Sequence, residues 1–265
     1  MKGLTVALAV GVTTAATAFA GASAVPTKHP GKLIVGFDLP APAFWNGHAS
    51  GTTIKNPSGF EYALSQAIAK KLGIKTIQYK RAPFGGLFSP APKPFDFALE
   101  EVTITAQRAK VVSFSTGYFD ANQGVLVRKG LSPTPKSIAD LKKLQLCAQA
   151  STTGLAYIQH TIRPTKRPLV YSASSTAAFD AVEAGKCDAL ILDVPIVASQ
   201  SRKKPHAYGG VVGQIVTHEF YGAVMDKGSK FKPYLDSAIK ALKANGTVNR
   251  LVKKWLLNPI PPILK

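Results

Sequence analysis

Within residues 95–119, FDFALEEVTITAQRAKVVSFSTGYF, two threonines and an arginine stand at a spacing that suits an anion. Thr103 and Thr105 offer hydroxyls, a helix opening after them offers free backbone N–H groups, and Arg108 offers a two-pronged guanidinium. Together these make a seat for a small carboxylate. An ordinary helix cap followed by a surface arginine uses the same residues. The stretch alone leaves both readings open.

The seat needs a frame. Phe97, Ala98 and Leu99 read as a buried strand just before it. Upstream, residues 33–38 read as a strand, and residues 39–58 as a loop rich in Pro, Gly and Ala that holds Phe44 and Trp45. Residues 60–72 form a helix with Phe60, Leu64, Ala67, Ile68 and Leu72 on one face and Gly73 at its end. Residues 76–80 read as a second strand. Four prolines, at 83, 90, 92 and 94, restrict that segment to a loop or a single turn. Downstream, residues 123–128 read as an extended crossover, and Ser137 caps a short helix. A strand–helix series then follows over 144–150, 154–162, 169–171, 177–184 and 188–193. Helices over 232–244 and 248–256 close the chain. Strands alternating with helices imply an α/β fold with mainly parallel sheets. In such sheets ligands bind beyond the C-terminal strand ends. Asp38, Glu101 and Thr103 fall there in one half, and Ser151 to Thr153 and Asp193 in the other.

At 265 residues the chain is long enough for one large domain or for two lobes. It begins as an export signal: Lys2, an apolar and small-residue stretch over residues 4–19, and Ala22-Ser23-Ala24 as an A-x-A cleavage site. A membrane anchor is the alternative, disfavoured by the Ala/Thr/Gly composition and the small-residue site. No cysteine follows that site, so a lipid anchor is not expected, and no later run is apolar enough to span a bilayer. The net charge of +19 raises nucleic acid as a partner. Export and the scatter of the lysines argue against it and for a solvated basic surface. His29, His48, His160, His206 and His218 lie apart, so neither a Ser-His-Asp constellation nor a metal cluster is expected. No cofactor is expected either.

The anion seat and several other pieces resemble, in order, the periplasmic amino-acid-binding proteins of ABC importers, solute-binding protein family 3. The carrying residues are Thr103-Ile104-Thr105, Arg108-Ala109-Lys110, Val111-Val112, Phe114-Ser115 and Tyr118. To these add Lys32-Leu33-Ile34-Val35-Gly36, Gly59-Phe60-Glu61, Leu72-Gly73, Ser151-Thr152-Thr153-Gly154 and 188–193. Tyr221-Gly222, Lys227-Gly228-Ser229, Asn245-Gly246-Thr247 and Lys254-Trp255 complete the set.

The resemblance implies a type II periplasmic-binding fold: two α/β lobes, each a mainly parallel sheet flanked by helices, joined by a two-strand hinge. It places a signal peptide at 1–24, lobe 1 at 25–122 and 223–265, and lobe 2 at 123–222. It implies a periplasmic or extracellular monomer that captures an amino acid by hinge closure and passes it to a membrane permease. No catalysis is implied. Arg108, Thr103 and the helix opening at Thr153 would take the α-carboxylate, and Asp193 the α-ammonium. Asp193 acting only as a helix cap is the bland alternative. Phe84 stands where the family places an aromatic against the ligand side chain; Phe44 and Trp45 suit core or pocket equally.

Glu100 and Glu101 depart from the small residues the family generally has there. Strand alternation sends one carboxylate to each side, and the resemblance implies that Glu101 is the one in the cleft. With Asp38 and Asp193 it makes an acidic pocket suited to arginine, lysine or histidine; pairing of Glu101 with Arg108 or a lysine would cancel that preference. Cys147 and Cys187 would begin neighbouring strands in the family's lobe order, so export into an oxidising space points to a disulfide. Two free thiols or a metal pair remain the alternatives. A prephenate or arogenate dehydratase on the same fold is the competing function, with Glu101 as general acid. A receptor's sensor domain would share the pocket.

Overall fold

The structure, a computed structural model, describes residues 25–172, 174–256 and 261–265. The expected export segment, residues 1–24, lies outside the described residues.

Two five-stranded sheets form in chain order. Strand β1 (Lys32–Phe37) is followed by a hairpin, β2 (Asn46–Ser50) and β3 (Thr53–Ser58), helix α1 (Phe60–Lys71) and β4 (Thr76–Arg81). A 3₁₀ turn over Phe84–Phe88 leads to β5 (Phe97–Ala98), the single-turn helix α2 (Ala106–Ala109) and β6 (Ser113–Phe114). Strand β7 (Phe119–Arg128) crosses to the second lobe, which holds α3 (Ile138–Leu141), β8 (Leu146–Gln149), α4 (Thr153–Tyr157) and β9 (Leu169–Tyr171). It continues through α5 (Ser175–Glu183), β10 (Ala189–Asp193) and α6 (Val194–Lys203). The long strand β11 (Tyr208–Tyr221) returns the chain, and β12 (Val224–Met225), α7 (Lys232–Ala244) and α8 (Thr247–Trp255) finish it.

The first sheet runs β4-β1-β5-β12-β6 and the second β11-β7-β10-β8-β9. β1 pairs in parallel with β4 and β5, and β8 in parallel with β10 and β9. β7 pairs antiparallel with both β11 and β10, so the second sheet is mixed, its antiparallel part being the two crossover strands. Sequence patterning missed β11 because its half-buried residues do not alternate cleanly along its bulged length.

Local packing explains the framework. Helix α1 buries Phe60, Leu64 and Ile68 against the first sheet, and α7 buries Leu235, Ala238, Ile239 and Leu242 at helical spacing. Gly59, before α1, has a φ of 118°, and a Cβ there would lie 2.3 Å from the Phe44 carbonyl oxygen, so only glycine fits. The expected loop over 39–58 contains the β2–β3 hairpin. The segment packs inward through Phe44 and Trp45, both buried, with the Trp45 indole N–H donating to Glu61 and to the Leu99 carbonyl.

Cys147 and Cys187 are joined by a disulfide, with Cα atoms 6.0 Å apart. They stand at the head of β8 and just before β10, which are parallel neighbours. The C-terminal residues depart from the expected lobe 1 assignment. Helices α7 and α8 pack on α1, but Leu264 joins the second lobe's core and Ile263 bridges to Gln214 in β11. An apolar Leu264 and the exposed flank of β11 explain the switch: the tail covers one and pairs with the other.

Candidate functional site

Strand ends from both lobes converge on one cleft of about 660 Å³, counted out to its open mouth. All seven residues expected at a ligand site line it: Asp38, Phe84, Glu101, Thr103 and Arg108 from the first lobe, Thr153 and Asp193 from the second. Phe44 and Trp45 do not; they belong to the core.

The anion seat forms as its residue types suggest. Thr105 caps α2 by accepting from the Arg108 backbone N–H, which fixes the arginine's place on the first turn. The Arg108 guanidinium lies over the Phe88 ring, 4.5 Å from its centroid, and 5.6 Å from that of Phe84. Its two terminal nitrogens donate to the Thr103 carbonyl (2.8 Å) and, across the cleft, to the Ser151 carbonyl (2.7 Å). Ser151 holds a left-handed φ of 64°, uncommon without glycine, in the turn that opens α4. Thr152, one residue on, is the residue that caps α4, accepting from the Leu155 N–H; the neighbouring Thr153 hydroxyl is left to face the cleft. Burial lowers the Arg108 pKa, while Asp193 and Glu219 favour its charged form.

Asp193 ends β10 as helix α6 begins, but its side chain caps nothing. Its carboxyl, 5 % exposed, accepts from Gln123 Nε2 at 2.5 Å and from the Tyr221 hydroxyl. Burial, reinforced by the nearby Glu219 charge, pushes its pKa up to about 7. A cation entering the cleft would restore its charge.

Glu100 and Glu101 overturn the alternation argument, since both line the cleft. Glu101 has a left-handed φ of 51°, which breaks the pleat between the two side chains. Its backbone N–H donates to Glu61 at 2.9 Å, and Glu61 also accepts from Tyr118 and Trp45. Neither oxygen of Glu100, a residue only 3 % exposed, has a hydrogen-bond partner among the described residues, and Glu101 Oε1 has none either. Burial raises both groups well above the usual carboxylate range. For Glu100 the charges of Asp38 and Glu61 add to it, and for Glu101 the charge of Glu61 does. Among the described residues, neither glutamate pairs with Arg108 or a lysine.

Asp38 adds less to the expected acidic pocket than Glu101 does, because it already has partners. Arg81 Nε reaches Asp38 at 3.1 Å, and the Leu39 and Phe84 N–H groups donate to the same carboxylate. Its charge is therefore spent on fixing the rim. Sequence reasoning missed Gln123, Gln149, Ser174, Ser175 and Glu219. Glu219 precedes the Tyr221-Gly222 pair, and its only sequence signal was that proximity. The described residues contain no group of three or more His, Cys, Asp or Glu able to hold a metal ion, and no helix long and apolar enough to cross a membrane.

Residues 33–258 match the family described as bacterial extracellular solute-binding proteins, family 3. The chain belongs to that family. It is 27 % identical over 230 residues to the L-cystine-binding protein TcyJ of Escherichia coli K12, covering 86 % of this chain and 84 % of that one. It is 29 % identical over 216 residues to the ABC transporter glutamine-binding protein GlnH of Bacillus subtilis 168, covering 77 % and 76 %. Among solved structures, an ancestral arginine-binding protein bound to arginine superposes with a TM-score of 0.73 at 29 % identity, covering 86 % of this chain and 99 % of that one. This family 3 protein thus shares an amino-acid-binding, extracytoplasmic lineage that works with ABC transporters.

Proposed function

We propose that this family 3 protein captures an amino acid with a cationic side chain between its lobes and delivers it, as a monomer outside the cytoplasm, to the permease of an ABC importer. The observation that carries the reading is Glu100: a buried carboxyl at the cleft wall with neither oxygen hydrogen-bonded, beside a second partly unpartnered carboxyl in Glu101. Such groups are costly to bury without a partner, and a guanidinium or ammonium supplies one. Phe84 offers a ring face to the ligand's aliphatic stem. Arg108, Thr103 and the start of α4 at Thr153 supply donors for the α-carboxylate, and Asp193 accepts the α-ammonium. Ligand contacts with both lobes favour the closed state.

A thermal-shift screen against the twenty amino acids and ornithine tests this. Stabilisation confined to arginine, lysine, ornithine and histidine is expected. A ligand at ~1,000 times its Kd adds about 4 kcal/mol. Equal shifts with neutral amino acids would remove the charge argument and leave the clamp.

One observation favours a second reading. Burial raises Glu100 and Glu101 well above the usual carboxylate range, the direction that favours the protonated form a general acid over a leaving hydroxyl requires. Turnover of prephenate or arogenate, with no amino-acid shift, would make the protein a dehydratase.

A further inference from the structure

Glu219 uses both carboxylate oxygens on hydroxyl and amide groups that border the cleft in both lobes. Between Ile215, opposite Gln123, and Glu219, opposite Ala121, strand β11 advances four residues against two on β7, with His218 at a left-handed φ of 51°. Irregularities of this kind re-aim side chains. Here Glu219 Oε2 accepts from the Thr103 hydroxyl at 2.7 Å and from the Thr153 hydroxyl at 2.6 Å, while Oε1 accepts from Gln123 Nε2 at 3.2 Å. Thr103 belongs to the first lobe and Thr153 to the second, so a single carboxylate ties the lobes together across the hinge. Its negative charge also acts on Arg108. These are the groups that the reading above assigns to a ligand's α-carboxylate. The arginine's two terminal nitrogens are meanwhile engaged by the Thr103 and Ser151 carbonyls.

We propose that Glu219 is an internal carboxylate occupying the cleft's own anion seat: it latches the lobes in the ligand-free protein, and a ligand's carboxylate must displace it. The latch sets how readily the cleft accepts ligands that carry a carboxylate. Like charges cannot share two hydroxyls and one guanidinium without repulsion, so bringing in the ligand's carboxylate costs the bonds Glu219 gives up. The proposal rests on the amino-acid reading for its ligand, but not for the latch itself.

The test compares wild type with Glu219→Gln and Glu219→Asp. The first removes the charge; the second keeps it but withdraws it by one methylene from the hydroxyl pair. Each protein is titrated with L-arginine and with agmatine, which lacks only the carboxylate, and likewise with L-lysine and cadaverine. Ligand-free small-angle X-ray scattering is recorded for all three. The expected result is that Glu219→Gln binds the amino acid tighter relative to its amine by roughly tenfold, the scale of one charge-assisted hydrogen bond. Both variants should also give a larger ligand-free radius of gyration than wild type. An unchanged radius in both variants overturns the latch. An unchanged or reduced preference for the amino acid over the amine overturns the displacement. If wild type and variants bind none of the four probes, the amino-acid reading fails, and the scattering alone decides the latch.

Discussion

Asp193→Asn should make the ligand-free protein more stable at pH 8 and worse at holding an amino acid. The Asp193 pKa is raised from 3.8 to about 7. Below pH 4 both the folded and the unfolded chain carry this group protonated, and it contributes no pH dependence. Between pH 4 and 7 the unfolded chain ionises it while the folded chain does not, so unfolding releases a proton and stability falls as pH rises. Above pH 7 the penalty is constant. About three pH units correspond to ~4 kcal/mol at most. Asparagine removes that penalty but reverses one contact: its oxygen still accepts from Gln123, while its NH₂ meets the Tyr221 hydroxyl, which must redirect its proton. That loss is about 1–2 kcal/mol. The variant should therefore be less stable than wild type by about 1–2 kcal/mol at pH 4 and more stable by about 2 kcal/mol at pH 8. Guanidinium unfolding followed by circular dichroism at pH 4, 5, 6, 7 and 8 measures the difference. The protein should be unfolded and refolded first, to strip any bound ligand. A difference that stays flat across the range would show that Asp193 is not a buried, strained acid, and with it would fall its candidacy as an ammonium acceptor. If the candidacy holds, the same variant should bind amino acids more weakly by at least ~2 kcal/mol, because the ligand's ammonium loses its charged partner.

Glu100 leads to a further expectation. A cation beside it draws its raised pKa down, so binding should release a proton and tighten as pH rises through that range; calorimetry in buffers of different ionisation enthalpy reads the proton directly, and Glu100→Gln should reduce the release to the share that comes from Asp193. Reduction of the Cys147–Cys187 bridge, which closes a separation of 40 residues, should cost ~3–4 kcal/mol in the chain-entropy account. Unfolding of the Cys147→Ala/Cys187→Ala protein measures that cost.

The parts of the site that could be read from sequence are those whose geometry is local. Thr105 and Arg108 lie within one helical turn, so the cap that places the guanidinium follows from their spacing alone. Helix α1 follows from a stripe of apolar residues and from Gly73 at its end. The strands β8 and β10 were visible because the second lobe's buried strands are short, apolar and bounded by helices. The disulfide followed from that lobe order once export was assumed.

What escaped depends on contacts distant in sequence. Arg81 neutralises Asp38 from 43 residues away, and nothing in a strand ending in Tyr-Lys-Arg announces that pairing. Glu219 meets Thr103 across 116 residues, through a bulge whose left-handed residue is a histidine, not the glycine that would flag it. The Glu100–Glu101 pair is the sharpest case. Their types were read correctly as an acidic departure, and the two-residue period of a strand then sent them to opposite sides. That period holds only while the backbone stays extended, and Glu101 leaves it at a φ of 51°. Glu61 supplies a reason for the turn: its carboxyl sits where it accepts the Glu101 N–H, together with Tyr118 and Trp45. A buried acid anchored in the core thus bends the cleft wall. That bend places two further acids where only one was expected.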